Sequence, residues 1–239
     1  MKSKKALIFG SNGQDGIYLN KFLKSIEICV INSSRKSENY FGDVGDFSFV
    51  KKIIKKELPD YIFHFAADST TKHEAILDNN NSISTGTINI LEAVRLFSKT
   101  SKIYITGSAM QFKNNGKPIN ENTPFDLSSS YSLSRIHSIY SARYYREKFN
   151  LKIYIGYLFN HDSILRSESH INQKIARTVL KIKEGSSEKL LVGNIEVRKE
   201  FNFANDIIKA IWILVNQNKI YESVIGSGIS YSLKNWIND

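Results

Sequence analysis

The sequence predicts an α/β fold: a doubly wound parallel sheet with helices on both faces, followed by a smaller C-terminal region. Short apolar runs alternate with amphipathic helical patterns over the first 160 residues, a glycine triplet separates the first run from the first helix, and the alternation weakens after about residue 160. Strands that alternate with helices pair in parallel, because each crossover helix brings the chain back to the end of the sheet from which it left.

Lys5–Phe9 reads as the first buried strand, and Tyr18–Lys24 as the helix that follows. Ile26–Ile31 is the second strand, with Cys29 expected as core filling, and a short third strand precedes "FGDVGDF". Helix Phe47–Lys56, strand Asp60–Phe65, helix Ile83–Phe97, strand Lys102–Thr106, helix Tyr131–Phe149 and strand Leu151–Tyr157 continue the alternation. "DNNNS" at 78–82 is too short for a linker. Beyond residue 160 come helices Asn172–Lys183 and Asn205–Asn216 and a strand-like "SVIGSG". The final "SYSLKNWIND" reads as a helix barely begun, in a region either naturally short or truncated. Residues 1–160 thus form the main domain, and residues 161–239 supply substrate-binding elements interleaved with its last strand and helices.

Composition narrows the function. With 239 residues, 41% of them hydrophobic, and only 3 prolines and 13 glycines, the chain is globular, and no apolar run is long enough to span a membrane. A lone cysteine excludes an internal disulfide and a cysteine-rich metal site, which points to a reducing cytoplasm. The net charge of +10 is spread over helix faces, as in "FVKKIIKKELPD", rather than gathered into one block. That pattern argues against nucleic acid and suits a small polyanion such as a nucleotide.

"ALIFGSNGQDGIYL" supplies the binding turn. Gly10, Gly13 and Gly16 lie between strand and helix, where glycine permits the tight bend and lets backbone approach a pyrophosphate at the helix N-terminus. This is the signature of a Rossmann dinucleotide site, and Asn12, Gln14 and Asp15 share the turn. After the second strand, Ser33, Ser34 and Arg35 replace the acidic residue that would hold a ribose 2′-hydroxyl, so NADP is expected over NAD. Asp43 and Val44 are placed to hold the adenine by one hydrogen bond and one apolar contact, and Ala66 and Ala67 are small enough for a flat cofactor to cross the sheet edge.

Five segments carry a resemblance: "GSNGQDGIYL", "GTINILEAVR", "ENTPFDLSSSYSLSR", "YREKFNLKIYIGYLFNHDS" and "LLVGNIEVRKEFNFANDIIKAIW". Together they resemble the extended short-chain dehydrogenase/reductase family, and within it the GDP-mannose 4,6-dehydratases. The resemblance implies a GDP-linked nucleotide-sugar substrate, an NADP cofactor cycled within one turnover, and a homo-oligomer. Phe65, Tyr131, Arg135 and Leu158 join the cofactor set on the same basis, with Arg135 at the position that grips the nicotinamide ribose. Tyr131 matches the tyrosine that exchanges a proton with the sugar C4 hydroxyl, and Ser108 the residue that hydrogen-bonds the C4 oxygen.

Two departures change the expected chemistry. A free tyrosine titrates near ~10, so its use at neutral pH calls for a fixed cation. The family supplies a lysine four residues on; here it is Arg135, which keeps the charge and the helical face but not the shape. Where the dehydratases have the glutamate that takes the C5 proton, this chain has Met110, preceded by Ala109, and neither accepts a proton. A 4-ketoreductase or epimerase type, with Ser108, Tyr131 and Arg135 catalytic, is therefore expected ahead of a true 4,6-dehydratase. A non-catalytic dinucleotide-binding regulator is the reading of another class. Asn160, Lys174 and Arg198 are the expected substrate contacts, and His161 is expected to position the loop or meet a subunit. No metal-ligand spacing is present.

Overall fold

The computed structural model describes residues 3–37, 39–168 and 170–238. Seven parallel strands form the central sheet: β1 (Lys5–Phe9), β2 (Cys29–Ser34), β3 (Tyr40–Phe41), β4 (Tyr61–His64), β5 (Lys102–Ser108), β6 (Lys152–Leu158) and β10 (Glu222–Ile225), in the order β10-β6-β5-β4-β1-β2-β3. The order reverses direction at β1 and β4, which opens a crevice at their C-terminal ends.

Each strand feeds two cores because successive side chains leave opposite faces. Leu7 and Phe9 join Ile53, Ile90 and Ile139 on one side, under α2 (Phe47–Glu57), α4 (Gly86–Phe97) and α5 (Ser130–Phe149). Ala6 and Ile8 join Leu19 and Ile208 on the other, under α1 (Gln14–Ser25) and α7 (Ala204–Val215). This two-sided burial explains the continuous apolar runs of β1 and β4.

The sequence expectation needs three adjustments. β2 begins three residues later than the apolar run suggests, since Glu27 takes a left-handed φ of 59° and turns the chain before Cys29. Cys29 is exposed rather than core: it opens β2 at the N-terminal edge, and only Ile31 and Ser33 of that strand are buried. "DNNNS" is helical. α3 (Ile76–Asn79) runs through a π turn (Asn80–Thr85) directly into α4, and Asn79 holds this turn by donating to the Asp68 and Thr70 carbonyls at 2.9 and 3.2 Å. π segments of this kind occur mostly at functional sites.

The rest of the chain forms the short strand β7 (His161–Asp162), helix α6 (Ile171–Lys183), strands β8 (Arg198–Lys199) and β9 (Asn202–Phe203), strand β11 (Tyr231–Ser232) and helix α8 (Leu233–Asn238). β7 pairs with β9, and β8 with β11, in two small sheets beside the crevice. Chain from this region also returns to the core as α7 and β10.

β10 is locked to α5 by charge. Glu222 accepts from Arg143 Nη2 at 2.6 Å, Arg146 Nη2 at 2.5 Å and the Tyr157 hydroxyl at 2.6 Å. Burial alone would raise its pKa, but the two guanidiniums and the tyrosine overcome it and hold the carboxyl down at about 2. A depressed carboxylate pKa stabilises the fold above the ordinary value of 4.5, and that contribution fades as pH falls toward 2. Glu222→Gln should cost about 2 kcal/mol at neutral pH. Urea unfolding of both proteins should show the difference shrinking below pH ~4, because only the wild type loses a carboxylate there.

Candidate active site

At the C-terminal ends of β1, β2 and β4 lies a cleft of about 260 Å³. Of the residues expected to bind cofactor, Gly10, Asn12, Gly13, Ser33, Ser34 and Arg35 line one side of it, and Asp43, Val44, Phe65, Ala66 and Ala67 the other. Gly10 is required by the fold. Its φ is +87°, and a Cβ there would stand 2.5 Å from the Ala66 nitrogen. Gly16 is equally constrained, with a Cβ falling 2.4 Å from the Gly10 carbonyl. Gly13 is different: a Cβ would meet only the Gly10 oxygen, at an ordinary 3.4 Å. Packing within the chain does not explain the glycine at 13.

Gly13, which lines the cleft, is the N-cap of α1, and no side chain caps that terminus; an uncapped helix N-terminus attracts anions. Ser33 Oγ is buried beside it with no hydrogen-bond partner. Ser34 donates to Asn12 at 2.6 Å, and Arg35 and Lys36 stand at the rim. These groups fit a dinucleotide phosphate chain, and no group of His, Cys, Asp and Glu among the described residues could hold a metal.

Lys36, Asp68, Asp78, Asn81 and Ser82 also line the cleft and were not foreseen. Asn81 donates to both Asp43 carboxylate oxygens at 3.3 Å, which holds the Asp43 loop to the π turn. The signal was the asparagine run, hidden by its resemblance to a loop.

Gln14 and Asp15 do not line the cleft. Gln14 accepts from the Ser163 hydroxyl at 2.8 Å, and Asp15 meets His161 Nε2 at 3.0 Å. Leu158 is buried at the end of β6, within the core shared with α7.

Tyr131 and Arg135 lie on the inner face of α5, one turn apart. Ser129 caps that helix, accepting from the Ser132 N–H at 3.1 Å, and Ser130 donates to Asn79 at 2.7 Å, tying the helix start to the π turn. Arg135 is buried, 4% exposed. Its Nε donates to the Tyr131 hydroxyl at 3.1 Å, its Nη1 donates to the Thr106 carbonyl at 2.7 Å, and its guanidinium carbon stands 5.1 Å from the Tyr131 ring centre. Lysine has one nitrogen and could not make this fork. His64, at the end of β4, is fully buried; burial first and the Arg135 charge second lower its pKa to about 3, so it stays neutral.

Ser108 ends β5 on a tight turn. Its Oγ accepts from the Met110 N–H at 3.2 Å, while its own N–H donates to the buried Gln111 side chain at 2.9 Å. Met110 is half exposed, and neither it nor Ala109 carries a proton acceptor.

The family model for GDP-mannose 4,6 dehydratase matches residues 7–239. The chain belongs to the GDP-mannose 4,6-dehydratase family. Arabidopsis thaliana GDP-mannose 4,6 dehydratase 1 is 30% identical, over 98% of this chain and 73% of the relative. A Vibrio cholerae GDP-mannose 4,6-dehydratase is also 30% identical, over 98% and 70%. Among solved structures, RMD from Pseudomonas aeruginosa complexed with NADPH superposes with a TM-score of 0.88 at 18% identity, covering 99% of this chain and 80% of that one. A UDP-N-acetylglucosamine 4-epimerase from Methanobrevibacter ruminantium gives 0.86 at 20%, covering 100% and 81%. At these identities the structures establish the epimerase/dehydratase fold. The chain is thus GDP-mannose 4,6-dehydratase-like in sequence and has the epimerase/dehydratase fold.

Within this family member the expected substrate contacts are dispersed. Asn160 donates to the Glu200 carbonyl at 3.3 Å, Lys174 to the Leu191 carbonyl, and the exposed Arg198 to the Ser230 carbonyl at 2.5 Å. Glu200, which the sequence did not single out, is buried and accepts from Ser227 N–H at 2.8 Å and Asn202 Nδ2 at 2.9 Å, joining β9 to the end of β10.

The contrast between the glycines yields a test. Gly10→Ala should destabilise the fold by about 2 kcal/mol or more through strain and clash. Gly13→Ala should leave the unfolding temperature within a degree or so yet weaken NADPH binding at least tenfold, about 1.4 kcal/mol, in a fluorescence titration.

Proposed function

We propose that the protein is an NADP-dependent enzyme acting on a GDP-linked hexose, with hydride chemistry confined to the sugar C4 position, in the manner of a 4-ketoreductase or epimerase. The observation that carries this reading is the buried Arg135 fork: a fixed cation donates to the Tyr131 hydroxyl and is itself anchored on the backbone of β5. A surface arginine would have meant that the cation had been lost.

The glycine turn, Ser33, Ser34 and Arg35 would hold NADP, which when bound supplies hydride exchange at C4. Tyr131 takes the C4 hydroxyl proton in the oxidising direction and returns it in the reducing one. Ser108 bonds the C4 oxygen and fixes its orientation. Arg135, a donor-only guanidinium, stabilises negative charge at the Tyr131 oxygen through its Nε. Elimination across C5 and C6 needs a further base, and Ala109 and Met110 offer none. NADP and a lone exposed cysteine suit a cytoplasmic enzyme, and the family likeness a homo-oligomer.

True 4,6-dehydratase activity is the second reading, favoured by the 30% identity to curated GDP-mannose 4,6-dehydratases. Incubation with GDP-mannose and NADP separates the two, because accumulation of a 4-keto-6-deoxy product establishes the dehydratase. The preferred reading predicts instead NADPH consumption at ~340 nm with a 4-keto GDP-hexose. Absence of turnover with either substrate class would leave a dinucleotide-binding protein without catalysis.

Tyr131→Phe should lower kcat by about 10²- to 10⁴-fold while leaving NADPH affinity nearly unchanged. Arg135→Lys should change kcat by about tenfold and displace the pH–rate profile, since lysine restores the charge without the Thr106 anchor. A protein with no catalysis would respond to neither.

A further inference from the structure

Asp15 is the second residue of α1, inside the first turn of the helix whose N-terminus faces the phosphate site. A carboxylate there repels the anion that the helix terminus attracts. The structure counters it from 146 residues away. His161, on β7, is 6% exposed and directs Nε2 at Asp15 Oδ1 at 3.0 Å, while Nδ1 meets the Phe159 carbonyl at 2.8 Å. A carbonyl can only accept, so Nδ1 carries a proton, and a proton on Nε2 as well makes the ring a cation that donates at both ends.

We propose that His161 is a charge-compensating positioning residue: its imidazolium neutralises Asp15, so that the N-terminus of α1 can accept a pyrophosphate, and the same contact sets the 159–166 loop against the glycine turn. Ser163, donating to Gln14 at 2.8 Å, adds a second tie between the same segments. Behind them, Arg166 and Asn172 both donate to Asp162, at 2.9 and 2.6 Å, and Trp236 donates to Asn172 at 3.0 Å, so the loop is held from the C-terminal region as well. Burial lowers the affinity of His161 for its second proton, but the Asp15 charge outweighs it and the net displacement is upward. For Asp15 the His161 charge likewise overcomes burial, and its carboxyl falls below the ordinary range. A buried pair of this type adds little net stability over an apolar one, whereas removing one partner leaves the other charge uncompensated.

The role rests on the dinucleotide reading of the cleft, and four proteins test it: wild type, His161→Ala, Asp15→Asn and the double variant. Titration with NADPH should give His161→Ala an affinity about tenfold weaker than wild type, Asp15→Asn within about threefold, and the double variant recovering most of the loss. His161→Gln, which keeps a hydrogen bond without the charge, should weaken NADPH binding like His161→Ala, and a wild-type affinity in this variant would overturn the proposal. A double variant as weak as His161→Ala or weaker would overturn the proposal, because a purely structural contact is not rescued by deleting its partner. If wild type binds no NADPH, the nucleotide reading fails separately, and inorganic pyrophosphate, read by thermal shift in the same proteins, decides the part played by the pair. No pyrophosphate response in wild type, or no rescue in the double variant, would sink it.

Discussion

Where β1 ends, the chain passes so close to the Phe65–Ala66 backbone that only glycine fits at position 10, and much of the molecule's function follows from that approach. Because Gly10 can turn with φ +87°, α1 starts at once, with its uncapped N-terminus beside the gap between β1 and β4. The reversal of strand order at that gap does the rest, since it opens a crevice at the C-terminal ends of β1 and β4. The glycine turn, the Asp43–Val44 loop and the end of β4 then line one cleft, although its residues are as far apart in sequence as Phe9 and Ser82.

The second organising element is the Arg135 guanidinium. Burying a cation is costly unless its donors are used. Here Nε and Nη1 are taken by a phenol and a main-chain carbonyl, and the aromatic face of Tyr131 lies alongside. The neutral His64 nearby adds no competing charge. An arginine in the lysine position is thus a change of device: a point charge on a flexible stem gives way to a planar fork whose orientation is fixed by the sheet.

Much of this was legible in the sequence. Apolar runs revealed the strands because two-sided burial leaves them no polar face, and the glycine triplet revealed the turn because its steric demands are local. Cys29 was misread because an apolar run does not report where the covering helices stop, and the π turn went unread because asparagine favours loops unless tertiary contacts, here Asn79 with the Asp68 and Thr70 carbonyls, capture it. Gln14 and Asp15 belonged to a recognisable motif, yet their partners lie in "LFNHDS", nearly 150 residues later, and no local rule links the two. The direction of Arg135 was open for a similar reason: helical spacing fixes which face it shares with Tyr131, but only the β5 carbonyl decides where the fork closes.

The Glu222 cluster bears on how the chain is made. β10 is separated from β6 by more than sixty residues, and until it arrives β6 presents a free edge with Ile153, Tyr154, Ile155 and Tyr157 in sequence along it. An unpaired edge of that composition invites pairing with other chains during synthesis. Arg143 and Arg146, on α5, precede β10 in the chain, and without Glu222 their two charges at this edge would lack this carboxylate partner. Like-charged neighbours discourage a second copy from docking there, whereas a strand carrying a carboxylate is drawn in. One acidic side chain thereby favours this edge of the sheet as the place where β10 docks.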